Sequence, residues 1–517
     1  MHKVLFLLFF CFQLSMAIAQ PNIQWQLTLG GSYYEHPTAA YQTPDGGYFI
    51  AGHTNSEDGD VDGNHGYHDF WAVKLDSSGN VLWKKAYGGS GEEWAFDAKL
   101  TSDGGFILVG FTESDDGDVQ GNHGGKDIWV LKLNGFGNIE WQKCLGGSGW
   151  EEGWSIQQTK EGGFIVAGLS TSTDGEVSGN HGGFDYWVVK LGLSGQIEWQ
   201  RSYGGSYNDF GYTISQTSDE GYIVAGEAQS TDGDVTNNLY GSSFWALKLN
   251  FEGKIEWQKA LGGSGIDRAN QVIQTKEGGY ILVGQTYSND GDVSGNHGDF
   301  DYWVVKLSEQ GDLEWQKALG GSNKDFGRSI FQTSEGDFIV IGSVNSNNGD
   351  VTGNHGGGDF WLVQLNEIGE LQWQRTFGGT LQDWGNTIQP TNDGGFIMTG
   401  YSWSVNGDVS ENKGKADFWI VKLSPESSPT SAPAPLPLEI SPNPAQNTIR
   451  LKVPSLDKDL NILVTDLLGR EVQQRSIPNP QSGSVALDLA AFPNGLYWVR
   501  VTTNSGAVYL GKVLKQG

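Results

Sequence analysis

One interval, 58 residues, recurs along most of this chain without an insertion or a deletion. The motif Gly-Gly-Ser/Thr begins at Gly30, Gly88, Gly146, Gly204, Gly262, Gly320 and Gly378. One tryptophan series (Trp71, Trp129, Trp187, Trp245, Trp303, Trp361, Trp419) keeps the same step, and so does a second (Trp25, Trp83, Trp141, Trp199, Trp257, Trp315, Trp373). Strict self-similarity at such a period means that one supersecondary unit is copied and that neighbouring copies bury each other. In the third copy, apolar or β-branched runs are expected as strands near 153–158, 164–169, 185–191 and 197–203, separated by Gly and Asp turn chemistry. The second run is almost continuously apolar, as in a strand covered on both faces.

Four strands per copy, repeated radially, define the blades of a β-propeller. The chain ends decide between a ring and an open array. The chain enters with a lone fourth-type run, Ile23-Gln24-Trp25-Gln26, and after the last third-type run, Phe418 to Leu423, no fourth run follows. An open stack has no reason to split a copy this way. A ring does, because the first run completes the last blade and removes a free sheet edge. The expectation is an all-β chain with a seven-bladed propeller over 20–424, its N-terminal strand closing the last blade.

Charge narrows the partners. The chain has 32 Lys+Arg against 61 Asp+Glu, a formal net charge of −29, which disfavours nucleic acid and anionic membrane surfaces. The 20 Trp, 24 Phe and 18 Tyr require a core and argue against disorder. Residues 1–19 read as an export signal: Lys3, the apolar run Val4 to Leu14, then Ala17-Ile18-Ala19, with maturation expected at Gln20. Removing Cys11 with that segment leaves Cys144 alone, so no intrachain disulfide forms. No later stretch is long and apolar enough for a transmembrane helix. A monomer is expected.

After a Pro/Ser-rich linker at 425–437 the composition changes. Residues 438–517 carry 8 basic and 6 acidic residues, against 23 and 54 in the propeller region. Several motifs follow in order: Ser441-Pro442-Asn443-Pro444-Ala445, Asp466-Leu467-Leu468-Gly469-Arg470-Glu471-Val472, Leu487-Asp488-Leu489, Pro493-Asn494-Gly495-Leu496-Tyr497, then Gly506 and Lys512. This segment resembles the type A sorting domain of Bacteroidetes type IX secretion. The resemblance implies a small β-sandwich that engages the type IX secretion machinery. It implies export across the outer membrane, cleavage of the domain, and release or attachment at the outer cell surface. The 58-residue copies also resemble uncharacterised repeats of secreted Bacteroidetes proteins, which says little about activity.

Candidate sites lie where the first strands and the long loops between second and third strands meet one rim. An acid follows each Gly-Gly-Ser/Thr by three residues (Glu35, Glu93, Glu151, Asp209, Asp267, Asp325, Asp383) and is expected to ring the channel mouth. The long loop of the first copy carries Asp58, Asp60, Asp62, Asn64 and Asp69, the alternating oxygen donors that wrap calcium. The competing reading is that these side chains cap their own loop amides. His65 and His68, near Asp69, form a weaker pattern for zinc. The strand tryptophans read as interblade core.

Variation between copies is more informative. Directly after the acid stand His36, Trp94, Glu152, Phe210, Arg268, Phe326 and Trp384; two residues later stand Thr38, Phe96, Trp154, Tyr212, Asn270, Arg328 and Asn386. Aromatics and arginines beside carboxylates suit a glycan or a peptide. No nucleophile elbow, phosphate loop or metalloprotease helix is recognisable. The expected function is a secreted or cell-surface, non-catalytic binding protein for a glycan or protein ligand. The alternatives are a polysaccharide-active hydrolase or lyase on the same scaffold, and a structural adhesin module.

Overall fold

The computed structural model describes residues 20–239, 241–425, 436–453, 459–466, 470–478, 484–503 and 508–517. The export signal, most of the linker, Gly469 and Gly506 fall outside the described residues. The chain divides into two compact units, Gln20–Glu426 and a second that includes Ser427–Gly517.

The first unit consists of seven four-stranded antiparallel sheets, a β-propeller. In the third blade, strand A is Glu151–Gln158, strand B Phe164–Ser170, strand C Asp185–Leu191 and strand D Ile197–Tyr203. Strand A therefore begins two residues earlier than its apolar pattern suggests, and the acid lies inside it. Every residue of this blade's B and C strands is buried, because a neighbouring blade covers each face. The strand C tryptophans are the largest side chains in these layers and are fully buried. Each meets strand C of the preceding blade, as Trp245 meets Tyr186 with ring centroids 4.7 Å apart. In six of the seven blades its indole N–H donates to a strand D glutamine, as Trp187 does to Gln200 (2.8 Å), so a large apolar body is buried with its polar atom satisfied.

The seventh sheet is assembled from both ends of the unit. Ile23–Leu29 pairs antiparallel with Asp417–Leu423 and stands in for strand D. Gln26 accepts from Trp419 Nε1 at 2.8 Å, as the other strand D glutamines do. Phe418 meets Trp71 of the first blade at 4.7 Å, the contact that joins Tyr186 to Trp245 elsewhere. Trp25 covers the turn at Gly79 as Trp83 covers the turn at Gly137 one blade on.

Strand A carries the irregularity that matters for function. In all seven blades its pairing with strand B slips by one residue at the same place, between Pro37 and Ala39 in the first blade and between Gly153 and Ser155 in the third. The extra residue is unpaired, a β-bulge, and such bulges re-aim a side chain. The bulge pushes the strand A backbone onto strand B, which explains the glycine opposite. A Cβ at Gly168 would sit 1.9 Å from the carbonyl oxygen of Glu152.

The second unit packs a five-stranded sheet against a three-stranded one, around Ile449, Leu451, Val464, Leu487, Val499 and Val513. Thr448–Lys452 and Ser484–Asp488 alternate buried and exposed positions, as sheets with one wet face do. The recurrent motif residues hold this sandwich together. Asn443, between Pro442 and Pro444, donates to the Lys512 carbonyl (2.7 Å) and accepts from Leu514 N–H (3.0 Å). Arg470 pairs with Asp466 (2.8 Å). Tyr497, two residues after Gly495, donates its hydroxyl to the Pro493 carbonyl (2.8 Å). Among the described residues no helix is long and apolar enough to cross a membrane.

Candidate functional site: a cavity along the propeller channel

The ring of acids expected at the channel mouth is instead fully buried. Glu35, Glu93, Glu151, Asp209, Asp267, Asp325 and Asp383 are each 0% exposed. In every blade one carboxylate oxygen accepts the N–H of the second motif glycine, from Gly31 to Glu35 at 2.9 Å through Gly379 to Asp383 at 2.7 Å. Hydroxyls at the end of strand B add to this, as Thr54 does for Glu35 (2.8 Å) and Ser170 for Glu151 (2.7 Å). These acids tie the D–A loop to the blade, so they are architecture and not a ligand rim.

A second buried set begins strand C: Asp69, Asp127, Asp185, Asp301, Asp359 and Asp417. Burial pushes each carboxyl up to about 6, against the pull of hydrogen bonds from the loop. In five of them the partner is the loop histidine, with Nδ1–oxygen distances from 2.6 to 2.8 Å. The two sets meet across the first motif glycine. A Cβ at Gly30 would lie 2.4 Å from both Asp417 and Glu35.

The loop residues read as calcium donors are mostly engaged within the fold. Asp58 caps Ser32 N–H (2.7 Å), Asp60 accepts from Gly30 N–H (3.1 Å) and takes the Lys413 ammonium, and Asn64 donates to the Ser56 carbonyl (3.0 Å). Asp69 holds His65, and Asp62 points to solvent at 85% side-chain exposure. Asp58, Asp60, Asn64 and Asp69 each engage a different partner, and Asp62 does not turn toward them. Among the described residues no three His, Cys, Asp or Glu side chains are placed to hold a metal ion. His65 and His68 also diverge: His65 binds Asp69, whereas His68 packs its ring against Trp94 at 5.0 Å.

What the blades do bring together is a cavity of about 710 Å³ along the channel. All seven bulge residues line it: Thr38, Phe96, Trp154, Tyr212, Asn270, Arg328 and Asn386. Of the residues directly after the acid, His36, Trp94, Arg268 and Trp384 also line it.

The wall is divided. From the seventh blade through the first to the fourth it is aromatic. Trp384 stacks on Tyr401 (6.1 Å, 9°), Tyr401 on His36 (4.3 Å, 13°), His53 on Trp94 (4.8 Å, 17°) and Phe96 on Trp154 (4.1 Å, 3°). Tyr212 meets Trp154 edge-on at 5.0 Å. Burial drives the His36 imidazole down to about 4, and His53 is lowered by the same cause, so both rings are neutral and serve as flat surfaces.

The fifth and sixth blades supply Arg268, Asn270, Gln285 and Arg328. Arg268 Nε lies 2.6 Å from Glu227 at an angle outside hydrogen-bonding geometry, so the contact is an ion pair. Glu227 also accepts from Gln229 (3.0 Å) and Ser242 (2.6 Å). Asp97 is the one carboxylate among the lining residues, and it is held by Lys99 (2.5 Å) and the Ile156 N–H (3.1 Å).

His53, Gln285 and Tyr401 were not singled out from sequence. Each follows the strand B glycine that faces the bulge, and each pairs across to the residue after the acid: His53 to His36, Gln285 to Arg268, Tyr401 to Trp384. A polar or aromatic residue breaking an apolar run just after that glycine is the signal that marks them.

Comparison with known proteins bears on the tail. Residues 439–516 match the secretion system C-terminal sorting domain family. The chain is thus a secreted Bacteroidetes protein whose tail engages the type IX machinery, and it reaches the cell surface or the extracellular space. Curated protein sequences return no match.

Solved structures similar to the chain include Sqt1 from Chaetomium thermophilum (11% identity, 78% of this chain, 100% of that chain, TM-score 0.36). Another is a DUF4221 family member from Bacteroides vulgatus (9%, 79% and 98%, TM-score 0.32). A third is puromycin hydrolase (12%, 72% and 51%, TM-score 0.41). At these identities and scores the likenesses carry no argument about what the chain binds or does.

Proposed function

We propose that this protein is a non-catalytic, cell-surface or secreted saccharide-binding protein that takes a short stretch or an end of a glycan into the channel cavity. One observation carries the reading: the residues that differ from blade to blade at the bulge all line one cavity, whereas the repeated polar residues around them are committed to architecture. A volume of about 710 Å³ falls within the range of small-ligand sites, roughly 300–1,000 Å³, and is too narrow for a folded protein partner. Stacked rings on one side offer flat surfaces to the C–H faces of sugar rings. Amides and guanidinium groups on the other side offer donors to oxygens.

The hydrolase alternative is weakened by the carboxylates. Glycoside hydrolysis uses two of them facing the scissile bond, and here Asp97 stands alone and already paired. The test is a glycan array probed with the chain from Gln20 onward. Binding of defined saccharides is expected, weakened at least about tenfold in Trp94→Ala/Trp154→Ala/Trp384→Ala, since each lost stacking contact costs on the order of 1 kcal/mol, with the melting transition retained. Binding of an extended peptide in place of any glycan would replace the ligand class. Release of reducing ends would restore the enzyme, and absence of any ligand would favour an adhesin module.

A further inference from the structure

Among the described residues, an internal cation without a counter-charge lines this cavity. Arg328, the bulge residue of the sixth blade, lines the wall and forms neither a hydrogen bond nor an ion pair with any described residue; its buried Nε has no acceptor. Its guanidinium carbon lies 5.9 Å from the centre of the Trp384 ring. The charged and titratable groups around it are Arg268, a like charge, and Tyr212, Tyr302 and Tyr401. Those phenols stay neutral: burial pushes Tyr401 up to about 12 and the other two higher. Glu227 is already engaged by the neighbouring Arg268, by Gln229 and by Ser242.

Of the other propeller arginines, Arg268 is paired with Glu227, and Arg201 and Arg375 donate to backbone carbonyls, so an arginine with neither kind of partner stands out. Other internal cations have carboxylates: Lys132 is held by Asp103 and Glu140, and Lys248 by Asp219 and Glu256. Withdrawing a guanidinium from water without a counter-charge costs stability.

The bulge that carries it is also fixed in place. Asn270 of the preceding blade donates to the carbonyl of Gly327, the residue before Arg328, and to Gln285, both at 2.7 Å. A positioned, unpaired guanidinium facing an aromatic wall is a receptor for a planar or tetrahedral oxyanion.

We infer that the saccharide bound in the channel is anionic, bearing a uronate carboxylate or a sulfate ester, and that Arg328 receives the anionic group while the aromatic arc holds the sugar ring. This deepens the saccharide reading and rests on it. The test measures affinity of the chain from Gln20 onward for uronate-containing and sulfated oligosaccharides, each beside its carboxyl-reduced or desulfated counterpart.

The acidic members are expected to bind roughly tenfold to a hundredfold more tightly than the neutral ones, the range of a charged hydrogen bond. Arg328→Gln is expected to abolish that difference, and Arg328→Lys to keep part of it. Preference for the carboxylate arm or for the sulfate arm identifies the group. Without ligand, Arg328→Gln is expected to raise the melting midpoint, because it removes an uncompensated charge; a purely structural arginine would lower it. Equal affinity for acidic and neutral members overturns the inference and leaves the saccharide reading standing. Failure of every member, acidic and neutral alike, overturns both.

Discussion

Trp71 shows what a single polar atom contributes in this scaffold. In six blades the buried strand C indole donates to a strand D glutamine, at distances from 2.7 to 2.9 Å. In the first blade the glutamine position is Lys84, and Trp71 Nε1 is buried without a partner. Lys84 has in exchange only long contacts, 3.7 and 3.9 Å, to Asp60 and Asp62, and exposed pairs of this kind contribute little. Lys84→Gln is therefore expected to stabilise the fold by about 0.5–1.5 kcal/mol, the net value of one hydrogen bond. Urea denaturation of the two proteins measures it, and a lower midpoint in the variant would show that the lysine is the better residue there.

The tryptophans themselves were legible from sequence, because a large apolar side chain at a fixed 58-residue step has one economical place, between blades. The seven acids were misplaced for the opposite reason. A carboxylate after Gly-Gly-Ser/Thr looks like loop surface, and nothing local announces that the glycine amides will draw it inward.

Where one blade meets the next, the buried carboxylates that begin strand C give the fold a pH dependence with a definite sign. Asp185 belongs to the third blade, and burial raises its carboxyl from an ordinary 3.8 to about 6. The folded chain thus holds this proton more tightly than the unfolded one. The associated stability is complete below about pH 4 and is lost as the pH rises through about 6. A carboxamide in its place would not titrate, so Asp185→Asn is expected to cost less at pH 7 than at pH 4.5, by on the order of 1–3 kcal/mol. Thermal melts of both proteins at the two pH values read this out. A larger cost at pH 7 would mean that pairing with His181 outweighs desolvation.

At the same scale, strand identity was readable and strand register was not. Apolar runs and Gly turns delimit strands B, C and D to within a residue or two. The bulge in strand A shifts pairing by one residue, and a one-residue slip decides whether Trp154 faces a neighbouring blade or the channel. No composition signal marks such a slip. Only the crowding glycine across the sheet, Gly168, and the blade-to-blade variation at Trp154 and its equivalents hint at it.

Seven bulges can line one cavity only because seven sheets stand around one axis, and that arrangement depends on the two ends of the propeller unit sharing a blade. The division of a copy between Ile23 and Leu423 was visible in sequence, as was the sorting tail, whose Asn443, Asp466, Arg470 and Tyr497 turn out to brace the sandwich they identify. The cavity's chemistry was visible only in part. Trp94, Trp154, Trp384 and Arg328 could be found as varying positions, but the unpaired state of Arg328 depends on which carboxylates reach it, and that is a property of the assembled ring.

The most direct measurement is a cross-link between the ends. Leu27 and Ile420 are partners in the pairing of the first strand with the last, and the one cysteine after residue 19, Cys144, is buried. In Leu27→Cys/Ile420→Cys, mild oxidation is expected to close an intramolecular disulfide in the folded protein, seen as loss of both added thiols and faster migration under non-reducing conditions. Two thiols that stay free, or that link only between molecules, would contradict the account.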